Sequence, residues 1–308
     1  MNSFEVISSQ LIQFVVMLAC GYLAARRGII PRPFLDGLAK LIMAVLIPLL
    51  IFANAMHGTT WDMMIESSVI MVLMACMYVG LIAVQAVVAR LLGLTGNHSR
   101  MYQATTIFGN AGFIGIPILL AAFPSHGGIY VTLMSIVDQC FLWTYGLYLT
   151  TPSGSGQSFS WKYFINPALI AVVLSIVLIA AGITLPGPLE QSLLTIGHAA
   201  TPLALIYLGA LLYYSDWSVA AKTKEVYVGM VVKLLCYPLA FFYVAKALCS
   251  DLDAVRAITL LASLPTMAVI AMFAAAKHND GDFALGVVLI MTVVSMATLT
   301  VVTYVIYP

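Results

Sequence analysis

The sequence predicts an all-α integral membrane protein: ten transmembrane helices arranged as two inverted five-helix repeats, with the fourth and ninth helices broken and crossing. Three observations predict it. Of the 308 residues, 62% are hydrophobic and only 8% charged, far from the balance of a soluble domain. The apolar residues gather into stretches of the roughly 20 residues that span about 30 Å of hydrocarbon. Two of those stretches are interrupted, at GNAGFIGIP from Gly109 to Pro117 and at Leu264-Pro265-Thr266.

The ten stretches run at 8–26, 38–56, 65–92, 103–123, 128–150, 166–184, 194–214, 225–248, 255–276 and 283–307. The third is long enough to tilt or to end outside the hydrocarbon. With the links assigned alternately to two sides, Arg26, Arg27, Arg32, Lys40, Arg90, Arg100, Lys162, Lys222, Lys224 and Lys277 share one side, which is therefore expected to be cytoplasmic. The opposite links, around Asp62 and Glu66, around Ser125 and His126, and around Glu190, hold no Lys or Arg, while Lys246 and Arg256 stand beside Asp251 and Asp253. Both termini are then expected on the extracytoplasmic side of a cell (inner or plasma) membrane. The N-terminus carries Glu5 and no basic n-region, so the first stretch reads as a retained helix and not as a cleaved signal peptide.

One polar, low-complexity stretch, TPSGSGQSFS from Thr151 to Ser160, falls near the middle of the chain and reads as a flexible linker. It divides the chain into a first five-helix repeat, 1–150, a short cytoplasmic linker, 151–162, and a second repeat, 163–308. Five helices on each side give the halves opposite orientations, the pattern of an inverted repeat. The prolines agree: Pro48 in the second stretch has a counterpart in Pro202 in the seventh, and Pro117 in the fourth has one in Pro265 in the ninth.

In hydrocarbon every backbone N–H and C=O needs a partner, so a broken helix persists only where protein or a water-filled cavity takes up the freed groups. Paired interruptions point to a solute-binding site at the membrane midplane. Half-helix N-termini there carry about half a positive charge each, and an anion can be held by their N–H groups without a buried arginine. The glycines at 109, 112 and 115 let the chain unwind and allow close approach, and Asn110 offers a donor pair and an acceptor. The predicted substrate site takes in Gly109, Asn110, Ala111, Gly112 and Pro117 at the first break, Pro265, Thr266 and Met267 at the second, and Asn54 beyond Pro48. Capping of a broken helix end is the competing role for Asn110.

Asp138 is the one acid deep in a stretch, where an ionisable group is costly. It is a candidate proton carrier, cation ligand or partner of Lys233; a protonated acid that fixes helix contacts is the alternative. Lys233 lies roughly 12 Å into the eighth helix from Glu225, so it either snorkels to the edge or turns inward to attract an anion or pair with an acid. Gln85, Gln103, Gln139 and Thr292 read as cross-helix hydrogen bonders. His57, His98, His126, His198 and His278 sit in links or at helix ends without metal-binding spacing, and Cys20, Cys76, Cys140, Cys236 and Cys249 are scattered apolar fillers. No metal or cofactor is expected. A net charge of +1 without a basic patch argues against nucleic acid; the chain has no GxxxxGK[ST] to use ATP, and no paired aspartates or HExxH for intramembrane hydrolysis.

In order along the chain, GNAGFIGIP, FLWTYGLYL from Phe141, INPALIAVVL from Ile165, TPLALIYLGALL from Thr201, VVKLLCYPLA from Val231 and LPTMAVIAMFAAAKHNDGD from Leu264 resemble segments of the auxin efflux carrier family. Its bacterial members resemble permeases of malonate and other small organic acids. The resemblance implies a scaffold and a transport domain, elevator-type alternating access, and a substrate carboxylate (malonate or an auxin-like acid) at the crossover beside Asn110. The chain differs from plant members in lacking their long cytoplasmic loop, and it carries Thr266-Met267 where many relatives have smaller polar residues. H+ or Na+ is the candidate coupling ion, and a homodimer is the oligomer to test. The alternative is a sodium-coupled symporter of the bile-acid transporter type, which shares the ten-helix plan but has clusters of sodium ligands that are thin here.

Overall fold

The computed structural model describes residues 3–123, 126–152, 167–216 and 218–307; among these, every regular element is a helix. The first helix, α1, spans Ser3–Arg26. Pro31 and Pro33 then open α2, Arg32–Met56, in the first turn, where a missing N–H breaks no bond. A short α3, Trp61–Glu66, has the Thr60 hydroxyl accepting from Met63 N–H at 3.3 Å, and bends at Ser67 into α4, Ser68–Leu91. The surplus length expected in the third stretch is thus a separate helix with its own cap.

Next, α5, Gly96–Ile107, stops short, and the chain resumes in a π-helical turn, Ala111–Gly115, and α6, Ile116–Ala122. Its successor, α7, begins as Gly127–Phe141 and continues through a π-helical turn, Leu142–Gly146, to Leu147–Thr150. In the second half come α8, Pro167–Ala180, α9, Gly187–Tyr214, the short α10, Ser218–Lys222, and α11, Lys224–Leu248. A second interrupted pair follows, α12, Leu252–Ala262, and α13, Ala268–Ala276, before the closing α14, Gly281–Ile306. Most of the linker, from residue 153 on, lies outside the described residues.

Five of these helices, α2, α4, α9, α11 and α14, are long and apolar enough to cross a membrane, and Val15–Arg26 of α1 and all of α8 are shorter apolar helices. Val15, Val72, Val79, Val173, Val177 and Val244 point outward and are more than half exposed, which suits a lipid surface and not water. Three π-helical turns each run into a proline two residues later: Ile42–Leu46 before Pro48, Ala111–Gly115 before Pro117, and Val232–Cys236 before Pro238. Proline lacks an N–H and its ring crowds the carbonyl four residues back; a widened turn takes up that misfit and the helix goes on. Pro48 therefore does not interrupt α2, while Pro202 falls in the first turn of Ala200–Tyr214, after the turn at Ala199 within α9.

The helices pack as two groups. In one, α1 lies along α9, and both α8 and α9 pack on α2. A Cβ added to Gly21 would stand 2.0 Å from Ile206 O and one added to Gly209 2.0 Å from Leu18 O, so α1 and α9 approach backbone to backbone through small residues. The other group holds α4 against α5, α7 and α12, with α11 on α12 and α14 on α13. Their interior contains both breaks.

Candidate functional site

The two interruptions meet. Gly109 and Thr266 form an isolated antiparallel bridge, in which Asn110 N–H donates to Pro265 O at 2.7 Å and Met267 N–H to Phe108 O at 2.9 Å. Each break supplies the partner for groups that the other has released, which is how irregular backbone survives inside a membrane protein. Three carbonyls at the cut end of α5 find donors, two from the other break and one from α11. The Thr266 hydroxyl donates to Thr105 O at 2.6 Å, the Lys233 ammonium to Ile107 O at 2.9 Å, and Met267 N–H to Phe108 O.

Lys233 is 1% exposed. Its stem does not snorkel; the cation sits on the negative end of a half-helix, where the dipole favours it. Among the described residues no ion pair joins it to Asp138. Asp138 is 2% exposed and accepts from the Tyr78 hydroxyl and from Gln139 Nε2 at 3.2 Å. The Tyr78 ring is stacked on Phe141, with centroids 4.8 Å apart, so the donor is held rigidly.

A cavity lies against the two breaks. An inner chamber of about 70 Å³ is lined by Asn110, Gly112, Met267 and Val269 from the two breaks, by Gln139 and Leu142 of α7, and by Ile47, Leu50 and Ile51 of α2 with Ala200 and Ala204 of α9. At these two helix starts, whose first N–H groups have no partner inside the helix, the Ala111 N–H is taken by Gly109 O at 2.8 Å, so that Gly112, Met267 and Val269 are what the chamber wall presents. An outer chamber of about 780 Å³ shares Leu50 and Gly112 with the inner one and carries polar groups from Asn54, His57, Thr59, Thr132, His198 and Thr201. It reaches the surface at His57, Gly58 and Met63, which are exposed.

The expected site residues separate accordingly. Asn110, Gly112 and Met267 line the inner chamber, and Gly112 and Asn54 line the outer one. Gly109, Pro265 and Thr266 form the backbone bridge behind it, and Ala111 is 4% exposed at the start of the second half-helix. The side chain of Pro117 lies outside the described residues. None of the three glycines of the motif adopts a positive φ; their role is closeness. A Cβ on Gly109 would stand 3.2 Å from Leu261 O and one on Gly115 2.8 Å from Leu261 Cδ2, whereas one on Gly112 would meet nothing within 4 Å.

Several residues of the site were not expected. Gln139 lines the inner chamber and links it to Asp138, while its Oε1 accepts from Trp143 Nε1 at 2.9 Å; its position next to Asp138 was the available signal. His57 and His198 are exposed and line the outer chamber. His57 Nδ1 lies 2.6 Å from Glu190 Oε1 and His198 Nε2 3.4 Å from Asn54 Oδ1. The spacing Asn54-x-x-His57 puts both on one helical face. No group of three metal-binding side chains occurs among the described residues.

Two cut helices joined end to end beside a chamber open to one surface are the build of a multi-pass membrane transport protein. Residues 6–303 match the membrane transport protein family, the auxin efflux carrier family, and the chain belongs to it. It is similar to an uncharacterized transporter of Methanothermobacter thermautotrophicus, 24% identical over 303 residues that cover 97% of this chain and 97% of that protein. Family membership implies a small-molecule substrate.

Proposed function

We propose that this protein is a secondary transporter of a small organic anion, a carboxylate such as malonate or an auxin-like acid, which binds at the meeting point of the two breaks. The observation that carries this reading is the Gly109–Thr266 bridge beside a chamber lined by Asn110, Gly112 and Met267. Two helix starts with partial positive charge and a side-chain amide suit a carboxylate, and no arginine is required. Asn110 and Gly112 hold the carboxylate, with Gly109 and Ala111 shaping the break behind them; Met267 and Val269 bound its apolar side, and Asn54 and the outer chamber form the approach.

Asp138 and Lys233 act behind the site. Asp138, linked to the chamber wall through Gln139, serves as the proton carrier, and Lys233 holds the cut end of α5. The halves 1–150 and 163–308 are inverted repeats, supported by the matching order of half-helix, break and half-helix in α5–α6 and α12–α13. The group of α1, α2, α8 and α9 serves as the scaffold, and the group that contains the breaks moves against it in an elevator-type exchange of access. The termini lie outside the cell membrane.

Uptake of labelled malonate and related acids into proteoliposomes tests this. Asn110→Ala is expected to lower uptake at least tenfold with normal membrane insertion; unchanged apparent affinity in that variant would remove the site assignment. Uptake driven by a pH gradient fits the role given to Asp138. Dependence on sodium would move the protein to the sodium-coupled, bile-acid type of symporter.

A further inference from the structure

The end of α1 and the start of α2 gather three of the six arginines of the chain, Arg26, Arg27 and Arg32, within seven residues. All three are exposed, and among the described residues their guanidinium groups make no hydrogen bond or ion pair. Arg100 and Arg256, by contrast, are held by the Tyr148 hydroxyl and by Ile306 O. A fixed backbone presents the three. Helix α1 closes with Gly28 in the left-handed region, at φ 73°, while Ile29 N–H reaches back to Ala24 O and Gly28 N–H to Ala25 O, both at 2.9 Å, a closure that glycine permits. The Tyr214 hydroxyl at the end of α9 then donates to Ile30 O at 2.9 Å, which fastens the link to the helix that packs along α1.

Behind the arginines α1 carries an apolar stripe. Ile12, Val16, Ala19, Cys20 and Leu23 are exposed and recur at the three-and-four spacing of one helical face, which Arg26 and Arg27 continue. From Ile12 to Leu23 the stripe is about 16 Å long, against about 15 Å for half of the hydrocarbon layer. Its arginine end is marked by Tyr22, whose ring meets that of Tyr213 of α9 edge-on with centroids 5.5 Å apart, and such rings sit at the level of the lipid head groups. We propose that Arg26, Arg27 and Arg32 hold the phosphate of an anionic phospholipid whose acyl chain lies along the α1 stripe. Guanidinium forks match phosphate oxygens, and three of them without an acid partner favour a lipid with net negative charge over one that brings a choline cation. The acids closest in sequence are Asp36, one turn beyond Arg32, and Asp216, which accepts from the Ser218 hydroxyl at 2.7 Å; neither forms an ion pair with an arginine of this cluster among the described residues. A lipid bound here ties the ends of α1, α2 and α9 together. The inference needs only the embedding in a membrane and does not rest on the transport reading.

Lipid titration of the full chain in dodecyl maltoside tests this. Dioleoylphosphatidylglycerol is expected to raise the unfolding temperature saturably, with a midpoint at least tenfold below that of dioleoylphosphatidylcholine. Arg26→Gln, Arg27→Gln and Arg32→Gln together should raise the phosphatidylglycerol midpoint at least tenfold. Arg90→Gln with Lys222→Gln and Lys224→Gln removes as much exposed charge elsewhere and should leave the midpoint within about twofold. Native mass spectrometry of the same samples counts the bound lipid directly, and it should show a phosphatidylglycerol retained by the parent and lost from the triple arginine variant, whatever that variant's thermal stability. Equal midpoints for the two lipids, a midpoint that the arginine changes leave in place, or an equal shift from the control changes overturns the site. So does the same stabilisation by glycerol 3-phosphate, which would make the cluster a site for a soluble phosphate and not for a lipid.

Discussion

Lys233 shows how one side chain completes a cut helix. Its ammonium meets Ile107 O at 2.9 Å in a position 1% exposed. Lys233→Met keeps the volume but leaves a buried carbonyl without its donor, a loss of about 1–3 kcal/mol. The expected outcome is a lower unfolding temperature in detergent together with reduced uptake; unchanged thermal stability would mean that water replaces the ammonium. Asp138, held by Tyr78 and Gln139, tests differently. In Asp138→Asn the dependence of uptake rate on pH should disappear while the protein still inserts and still binds ligand, and a retained pH profile would transfer proton coupling to another group.

At the scale of elements, the breaks at 108–110 and 263–267 are one feature, because neither satisfies its own backbone. The glycines of the first break divide by what a methyl group would meet. Gly109→Ala places Cβ 3.2 Å from the Leu261 carbonyl oxygen, backbone that cannot step aside, and is expected to destabilise by about 1–3 kcal/mol through overpacking. Gly112→Ala meets nothing within 4 Å and should fold normally, yet its methyl enters the inner chamber and should raise the KM for the anion. A paired measurement of unfolding temperature and uptake checks both; equal effects from the two substitutions would contradict the geometry. The prolines separate in the same manner. Pro265 lies in a true break bridged by hydrogen bonds, whereas Pro48 and Pro238 follow widened turns within continuous helices.

Across the whole molecule, a ligand that binds the folded form stabilises it, by about 2.7 kcal/mol at a hundredfold excess over Kd. A carboxylate that occupies the inner chamber should raise the unfolding temperature of the parent protein and not that of Asn110→Ala. A rise of the same size in both would place the bound anion elsewhere. Chambers of about 780, 70 and 220 Å³ all border α2 and α7.

The sequence alone determined the class of the protein and its cut helices. Hydrocarbon requires every backbone group to be paired, which long apolar helices achieve, so composition was enough to establish an all-helical protein with several apolar spans, and a glycine-rich motif ending in proline marked a break. Asn110 and Gly112 were legible for the same reason. Only the tertiary structure decided what Lys233 does, that Thr266 serves the backbone bridge and not the chamber wall, and that Gln139, His57 and His198 belong with the site. Those facts depend on which distant carbonyl or cavity a side chain reaches, and periodicity along one helix says nothing of its neighbours. Pro48 marks the same limit, because a proline and the wider turn that absorbs it are distinguished by hydrogen bonding and not by residue type.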